Sequence, residues 1–213
     1  MTEADLDELA DRIVKMLTTT DFYEGMGSGI SEIGKNFGYL AYDFIDTDTR
    51  YAKSREMERL IKAIHRGIVS REKIIEAIQR IFKVFDRNAS ESQKEAIYHK
   101  AVGSVAGSML VSQAVFQIAK RIGNAPKVST GTVYYILLLG GMAKRSIYRS
   151  MYLRSHNPEV YSELRRDDLD FLFFLFEENV EPLTEAIKMR RVYGSGMFNQ
   201  LIDKIEYRIS RRL

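Results

Sequence analysis

The chain has 213 residues, 45% hydrophobic and 29% charged, with a net charge of +3. That composition excludes wholesale disorder and fibrous repeats, and the length suits one domain able to bury a real core. Cysteine is absent, which excludes disulfides, a thiolate metal site and a thiol nucleophile.

Helical spacing runs through nearly the whole chain. Leu6, Leu9, Ile13 and Leu17 recur at i+3 and i+4, and Thr2 with Asp5 makes a capping-box start. The run 18–21 breaks this pattern. A second helix is predicted around Ile30, Ile33, Phe37, Leu40 and Phe44, with Gly34, Gly38 and Ala41 as a stripe of close approach. A third carries Met57, Leu60, Ile61 and Ile64 and stops at Gly67. A fourth, capped by Ser70, shows Ile74, Ile75, Ile78, Ile81, Phe82 and Phe85, with Asn88 as a left-handed stop. Ser90 with Gln93, or Ser92 with Glu95, opens a long helix to Arg121 that ends at Gly123 and Asn124.

Pro126 marks a connector, and Thr130 can cap a helix that runs through Leu153. Asn157, Pro158 and Glu159 read as cap, first-turn proline and first-turn acid of a short helix to Arg166. The run 171–176, Phe-Leu-Phe-Phe-Leu-Phe, suits either a buried strand or a buried helix, and its acidic shoulders favour helix. Pro182 is expected to begin another short helix. A turn over 193–196 then leads to a final helix with Met197, Leu201, Ile205 and Ile209. The expectation is an all-α fold, a single domain over 1–213 with about eight or nine helices. It forms a bundle around a central apolar hairpin at 96–153, wrapped by amphipathic neighbours at 30–45, 74–85 and 197–209.

Charge is distributed unevenly. The first thirty residues hold Glu3, Asp5, Asp7, Glu8, Asp11, Asp21 and Glu24 against Arg12 and Lys15. Between Glu95 and Glu159 there is no carboxylate, where the chain average of 29 acids in 213 residues would place about eight or nine. That stretch carries Lys100, Lys120, Arg121, Lys127, Lys144, Arg145, Arg149 and Arg154. Most of these cations sit at the ends of two uncharged runs, 101–119 and 128–143.

A bilayer-crossing helix needs about 20 mostly apolar residues. The first run has the length but is rich in serine and glutamine. The second, with Leu137, Leu138 and Leu139, is more hydrophobic but slightly short. Both therefore read as conditional spans, folded in water and able to enter lipid. Gly103 and Gly107, with Ser104 and Ser108 beside them, form a small-residue strip suited to close helix pairing in lipid. The missing carboxylates remove groups that are costly at membrane depth. Lys120, Arg121, Lys127, Lys144, Arg145, Tyr148, Arg149 and Tyr152 read as interfacial anchors with attraction to anionic lipid. The competing reading makes the second run the buried central helix of a water-soluble bundle.

A helical domain of this size, with an uncharged hairpin flanked by lysines over 96–153, resembles the pore-forming domains of colicin-type and related antibacterial toxins. The resemblance implies membrane insertion, ion leakage and loss of membrane potential in a target cell, with a protective partner in the producer. The hairpin here lies mid-chain and is less hydrophobic than in that family. The first functional expectation is thus a membrane-active, toxin-like pore former or depolariser. Its partners would be an anionic membrane and a neutralising or carrier protein. The alternative is a soluble helical interaction protein, of immunity or adaptor type, with the hairpin as permanent core.

Other chemistry finds little footing. His65, His99 and His156 are far apart and read as surface or boundary residues; His99, at the threshold of the first run, could sense pH. Without cysteine a zinc site would need carboxylates, and neither a metal nor a cofactor is expected. The glycines at 25–29 lack the Lys-Ser/Thr of a phosphate loop, and Asp43, Asp46 and Asp48 lack the spacing of a calcium loop. No catalytic constellation emerges, so an enzyme is not expected. Lys204, Arg208, Arg211 and Arg212 could touch lipid or nucleic acid, or simply complement a helix dipole. Cations gathered at the ends of apolar runs suit lipid better than nucleic acid. Acidic, amphipathic sequence follows Met1, so no secretory signal is expected and the protein should be cytoplasmic as made, reaching a target membrane when active.

Overall fold

The structure, a computed structural model, describes residues 1–18, 50–68, 71–94, 97 and 142–212. Among them, besides a helical turn at 91–94 and with no strand, lie seven α-helices with defined bounds and one 3-10 helix. They are α1 (Glu3–Thr18), α2 (Arg50–His65), α3 (Arg71–Asp86), α4 (Met142–His156), α5 (Pro158–Arg165), the 3-10 helix (Leu169–Leu175), α6 (Glu177–Tyr193) and α7 (Ser195–Arg212). The fold is all-α. The expected helix at 30–45 and most of the 96–153 hairpin lie outside the described residues.

Local signals explain several boundaries. The Thr2 backbone N–H donates to Asp5 at 2.6 Å, and the Asp5 N–H donates to Thr2 Oγ1 at 3.2 Å, closing the capping box on α1. Ser90 and Gln93 make the same reciprocal pair ahead of Ile97. Gly67 has φ +80°, and its N–H bonds back to the Ile64 carbonyl, so α2 ends where a residue without a Cβ permits the left-handed turn.

Three expectations need correction. Asn88 is not left-handed; its Nδ2 donates to the Val84 carbonyl at 2.9 Å and closes α3 through its side chain. Asn157 precedes α5 as expected, but its side chain does not cap it. Its Nδ2 donates instead to the Thr184 carbonyl at 2.5 Å, tying α5 to α6. Pro182 does not begin a helix but lies inside α6. An interior proline costs about 3 kcal/mol. Buried Val180, Leu183, Ala186 and Ile187 outweigh it, because each apolar side chain taken from water returns about 1.5–3 kcal/mol, less for alanine.

The ambiguous aromatic run forms the 3-10 helix. Leu169, Phe171, Leu172, Phe173 and Phe174 are all buried, which a three-residue repeat permits because its ridges face three directions. It packs on α3, α4 and α5. One contiguous apolar cluster joins it to α1, α3, α6 and α7. The apolar stripes of α3 and α7, expected to wrap the hairpin, belong to that cluster, and Phe85 meets Phe198 edge-on at 5.4 Å.

Two charge clusters fasten helices to this core. Arg59 of α2 donates to Asp168 at 2.7 Å, to both Asp170 oxygens at 2.8 and 2.5 Å, and to Glu56. Its guanidinium lies 3.6 Å over the Phe171 ring. Burial pulls the Arg59 proton affinity down, yet the Asp170 and Asp168 bonds win and raise it. Elsewhere the acidic start meets the basic end: Lys204 reaches Asp7 at 3.0 Å and Glu3 at 3.4 Å, and Arg208 reaches Asp7 at 2.5 Å and Asp11 at 2.8 Å. Arg12 of α1 pairs with Glu181 and Glu185 of α6.

Candidate functional site

The stretch without carboxylates enters the described residues at α4, the continuation of the second uncharged run. Its residues divide by face. Ala143, Ser146, Ile147, Ser150 and Leu153 are buried, at the i+3 and i+4 spacing of one stripe. Ser146 Oγ donates to the Phe171 carbonyl at 2.7 Å, and Ser150 Oγ donates to Asp170. Two hydroxyls four residues apart let α4 sit close against the 3-10 helix while satisfying buried acceptors.

The opposite side gathers the anchors. Tyr148 is the most exposed large hydrophobic side chain among the described residues, at 64%, and Tyr152 is also exposed. Lys144, Arg145 and Arg149 are half-buried beside them. The Arg149 guanidinium lies 4.8 Å from the Tyr152 ring centroid, and the Tyr152 and His156 rings stack at 3.8 Å with 17° between planes. So Tyr148, Tyr152 and His156 form an aromatic ridge at i, i+4 and i+8, flanked by cations. A groove of about 430 Å³ runs beside it toward α6, walled by Tyr152, His156 and Phe173, with Arg12, Arg149 and Lys188 set against Glu177, Glu178, Glu181 and Glu185.

The arginines have a partner from outside the stretch. Glu177, the first residue of α6, is only 7% exposed. Its Oε2 accepts from Arg149 Nε, and its Oε1 lies 3.7 Å from Arg145 Nη2. Burial pushes the Glu177 carboxyl above the usual glutamate range, and the Arg149 bond opposes that without cancelling it.

Thus Lys144, Arg145, Tyr148, Arg149 and Tyr152 share one helix. Lys120, Arg121, Lys127, Gly103, Ser104, Gly107, Ser108, Leu137, Leu138 and Leu139 lie outside the described residues, as does His99. Sequence reasoning missed Glu177 and the stacked His156. The i+4 step from Tyr152 to His156 was visible. Glu177 had no local signal, since it lies 28 positions from Arg149. Of the C-terminal cations, Lys204 and Arg208 are engaged by α1, and Arg211 stacks on Tyr207 at 5.5 Å.

Among the described residues no three His, Asp or Glu side chains are grouped to hold a metal ion. No helix among them is long and apolar enough to cross a membrane. No family model, curated protein or solved structure matches this chain.

Proposed function

We propose that this is a membrane-active protein of toxin-like character, a pore former or depolariser that folds in water before its uncharged central runs enter lipid. The observation that carries the reading is the outer face of α4. At the end of the second uncharged run it presents Tyr148, Tyr152 and three cations, without a carboxylate of its own. Tyrosine and arginine at the end of an apolar segment suit the headgroup layer of a bilayer. The inner face is fastened to the core through Ser146 and Ser150. The partners are an anionic membrane and, by the colicin-type resemblance, a protein that neutralises or carries the molecule.

Potassium or dye release from anionic liposomes tests this. The purified protein should release the contents, and Leu138→Glu should abolish release while circular dichroism stays unchanged. Folded protein that never releases, or a Leu138→Glu variant as active as the parent, overturns the proposal.

One observation favours a second reading. Arg145 and Arg149 are already matched by Glu177, as befits a permanently soluble helical interaction protein of immunity or adaptor type. That protein would leave liposomes intact.

A further inference from the structure

The Glu177 contact bears on how the α4 face is used. Both arginines available to a phosphate on that face converge on one carboxylate, and that carboxylate belongs to a different helix. Two guanidiniums on one carboxylate are the arrangement they would also make with a headgroup phosphate, since both anions accept forked N–H donors. From the Glu177 side the contact is poorly solvated, so an amide could replace the carboxylate without stranding a buried charge.

We infer that the outer face of α4 is the docking surface for an anionic bilayer, and that Glu177 is a built-in competitor that occupies Arg145 and Arg149 until lipid phosphates displace it. This rests on the membrane-active reading and names its first contact. Charge complementarity selects the occupant. Lys144, Arg145, Arg149 and the exposed tyrosines line one side of a helix whose own sequence holds no acid; Glu178, Glu181 and Glu185 of α6 line the groove at the Tyr152 flank but not the end that carries Lys144, Arg145 and Tyr148, and the tyrosines provide the amphipathic rings that an interface favours. Tyr148, the most exposed large hydrophobic side chain among the described residues, belongs to the docking surface.

The test uses the full chain and phosphatidylcholine vesicles, with and without a share of phosphatidylglycerol, read by cosedimentation and by dye release. Glu177→Gln should dock on the anionic vesicles about fivefold more tightly than the parent, the worth of about one freed basic group near such a surface. Glu178→Gln removes the same charge one residue away, on an exposed position, and should not reproduce that gain. Tyr148→Ser should weaken docking several-fold, and being an exposed change it serves even if Glu177→Gln folds poorly.

Equal docking by Glu177→Gln and Glu178→Gln, or full docking by Tyr148→Ser, overturns the inference. So does a gain that appears equally on neutral vesicles, which would mean an exposed core. Binding of a single-stranded oligonucleotide that follows the same variants as tightly would transfer the face to nucleic acid. Release that ignores all three variants leaves the membrane-active reading standing and removes this one. Docking that obeys them without any release does the reverse.

Discussion

Two of the molecule's clusters of opposite charge, both built from basic side chains on carboxylates, fasten helices to the core in different ways. At the 3-10 helix, Arg59 meets Asp168 and Asp170 in a setting where Asp170 is 0% exposed. Between α1 and α7, Lys204 and Arg208 meet Asp7 and Asp11, and the Asp11 side chain is 59% exposed. Distances do not separate the two. Burial does. A carboxylate withdrawn from water must have every one of its lone pairs satisfied by protein, whereas an exposed one exchanges partners with solvent at little cost. The inner cluster therefore acts as an all-or-none fitting, and the outer one as a loose ladder.

The sharpest way to break this contrast is to remove one inner partner. Asp170→Ala leaves Arg59, over Phe171, with Asp168 and Glu56 alone and deprives Ser150 of its acceptor. Losing one member of a buried pair typically costs about 3–5 kcal/mol. Chemical denaturation should show the unfolding free energy lowered by up to that amount, read as a lower midpoint at an unchanged slope. A loss no larger than that of an exposed pair would mean that water already reaches Asp170.

A gentler change asks whether charge or shape holds the cluster. Arg59→Lys keeps the charge but has no planar fork for two carboxylates, and it covers Phe171 less well. Leaving one buried acceptor unmade costs about 1–3 kcal/mol. The variant should fall between the parent and Asp170→Ala in thermal denaturation. Parental stability would show that charge alone suffices.

How much of this was legible beforehand depends on the range of each interaction. The all-helical class, the Thr2–Asp5 and Ser90–Gln93 boxes and the Gly67 stop are local, since each joins residues three or four apart. Periodicity and capping chemistry read them directly. Pro182 misled because propensity is local while the packing of Val180, Leu183 and Ile187 that overrides it is not. The same limit explains the charges. The acidic beginning and the basic end stood out as separate features, yet each is the other's partner across nearly 200 positions. The stretch without carboxylates stood out too. That Glu177 supplies an acid to it from α6 could not be read from spacing. The tyrosines and cations of α4 were legible as one group because helical spacing alone brings them together.

Glu177 gives the contrast a pH signature. Its carboxyl titrates above the ordinary glutamate value in the folded protein, so the folded state binds that proton more readily than the unfolded chain. Its contribution thus favours folding increasingly as pH falls through the raised value, and is complete once the pH is below the unfolded one. Asp7 and Glu76 behave oppositely. Arg208 with Lys204, and Lys73 with Arg80, hold these carboxyls below their usual values, and the stability they add is lost as pH falls through the lowered values. Thermal melts should therefore show a modest gain on mild acidification and then a loss under stronger acid. Glu177→Gln should abolish the gain and keep the loss. A parent whose stability only declines from neutral pH downward would contradict the Glu177 assignment.

The smallest effect belongs to the outer ladder. Asp7 receives both Lys204 and Arg208, so Asp7→Asn removes the shared negative charge while Asp11 and Glu3 remain within reach of the same cations. Exposed pairs are screened, and the Debye length shrinks from about 10 Å at 0.1 M salt to about 3 Å at 1 M. At low salt the variant should melt slightly below the parent, and at about 1 M salt the two curves should coincide. Asp170→Ala should keep its deficit at both salt concentrations, because screening ions do not enter the site around a buried carboxylate. A deficit of Asp7→Asn that persists in high salt would make α1 and α7 a second fitted joint, and the division between the two clusters would disappear.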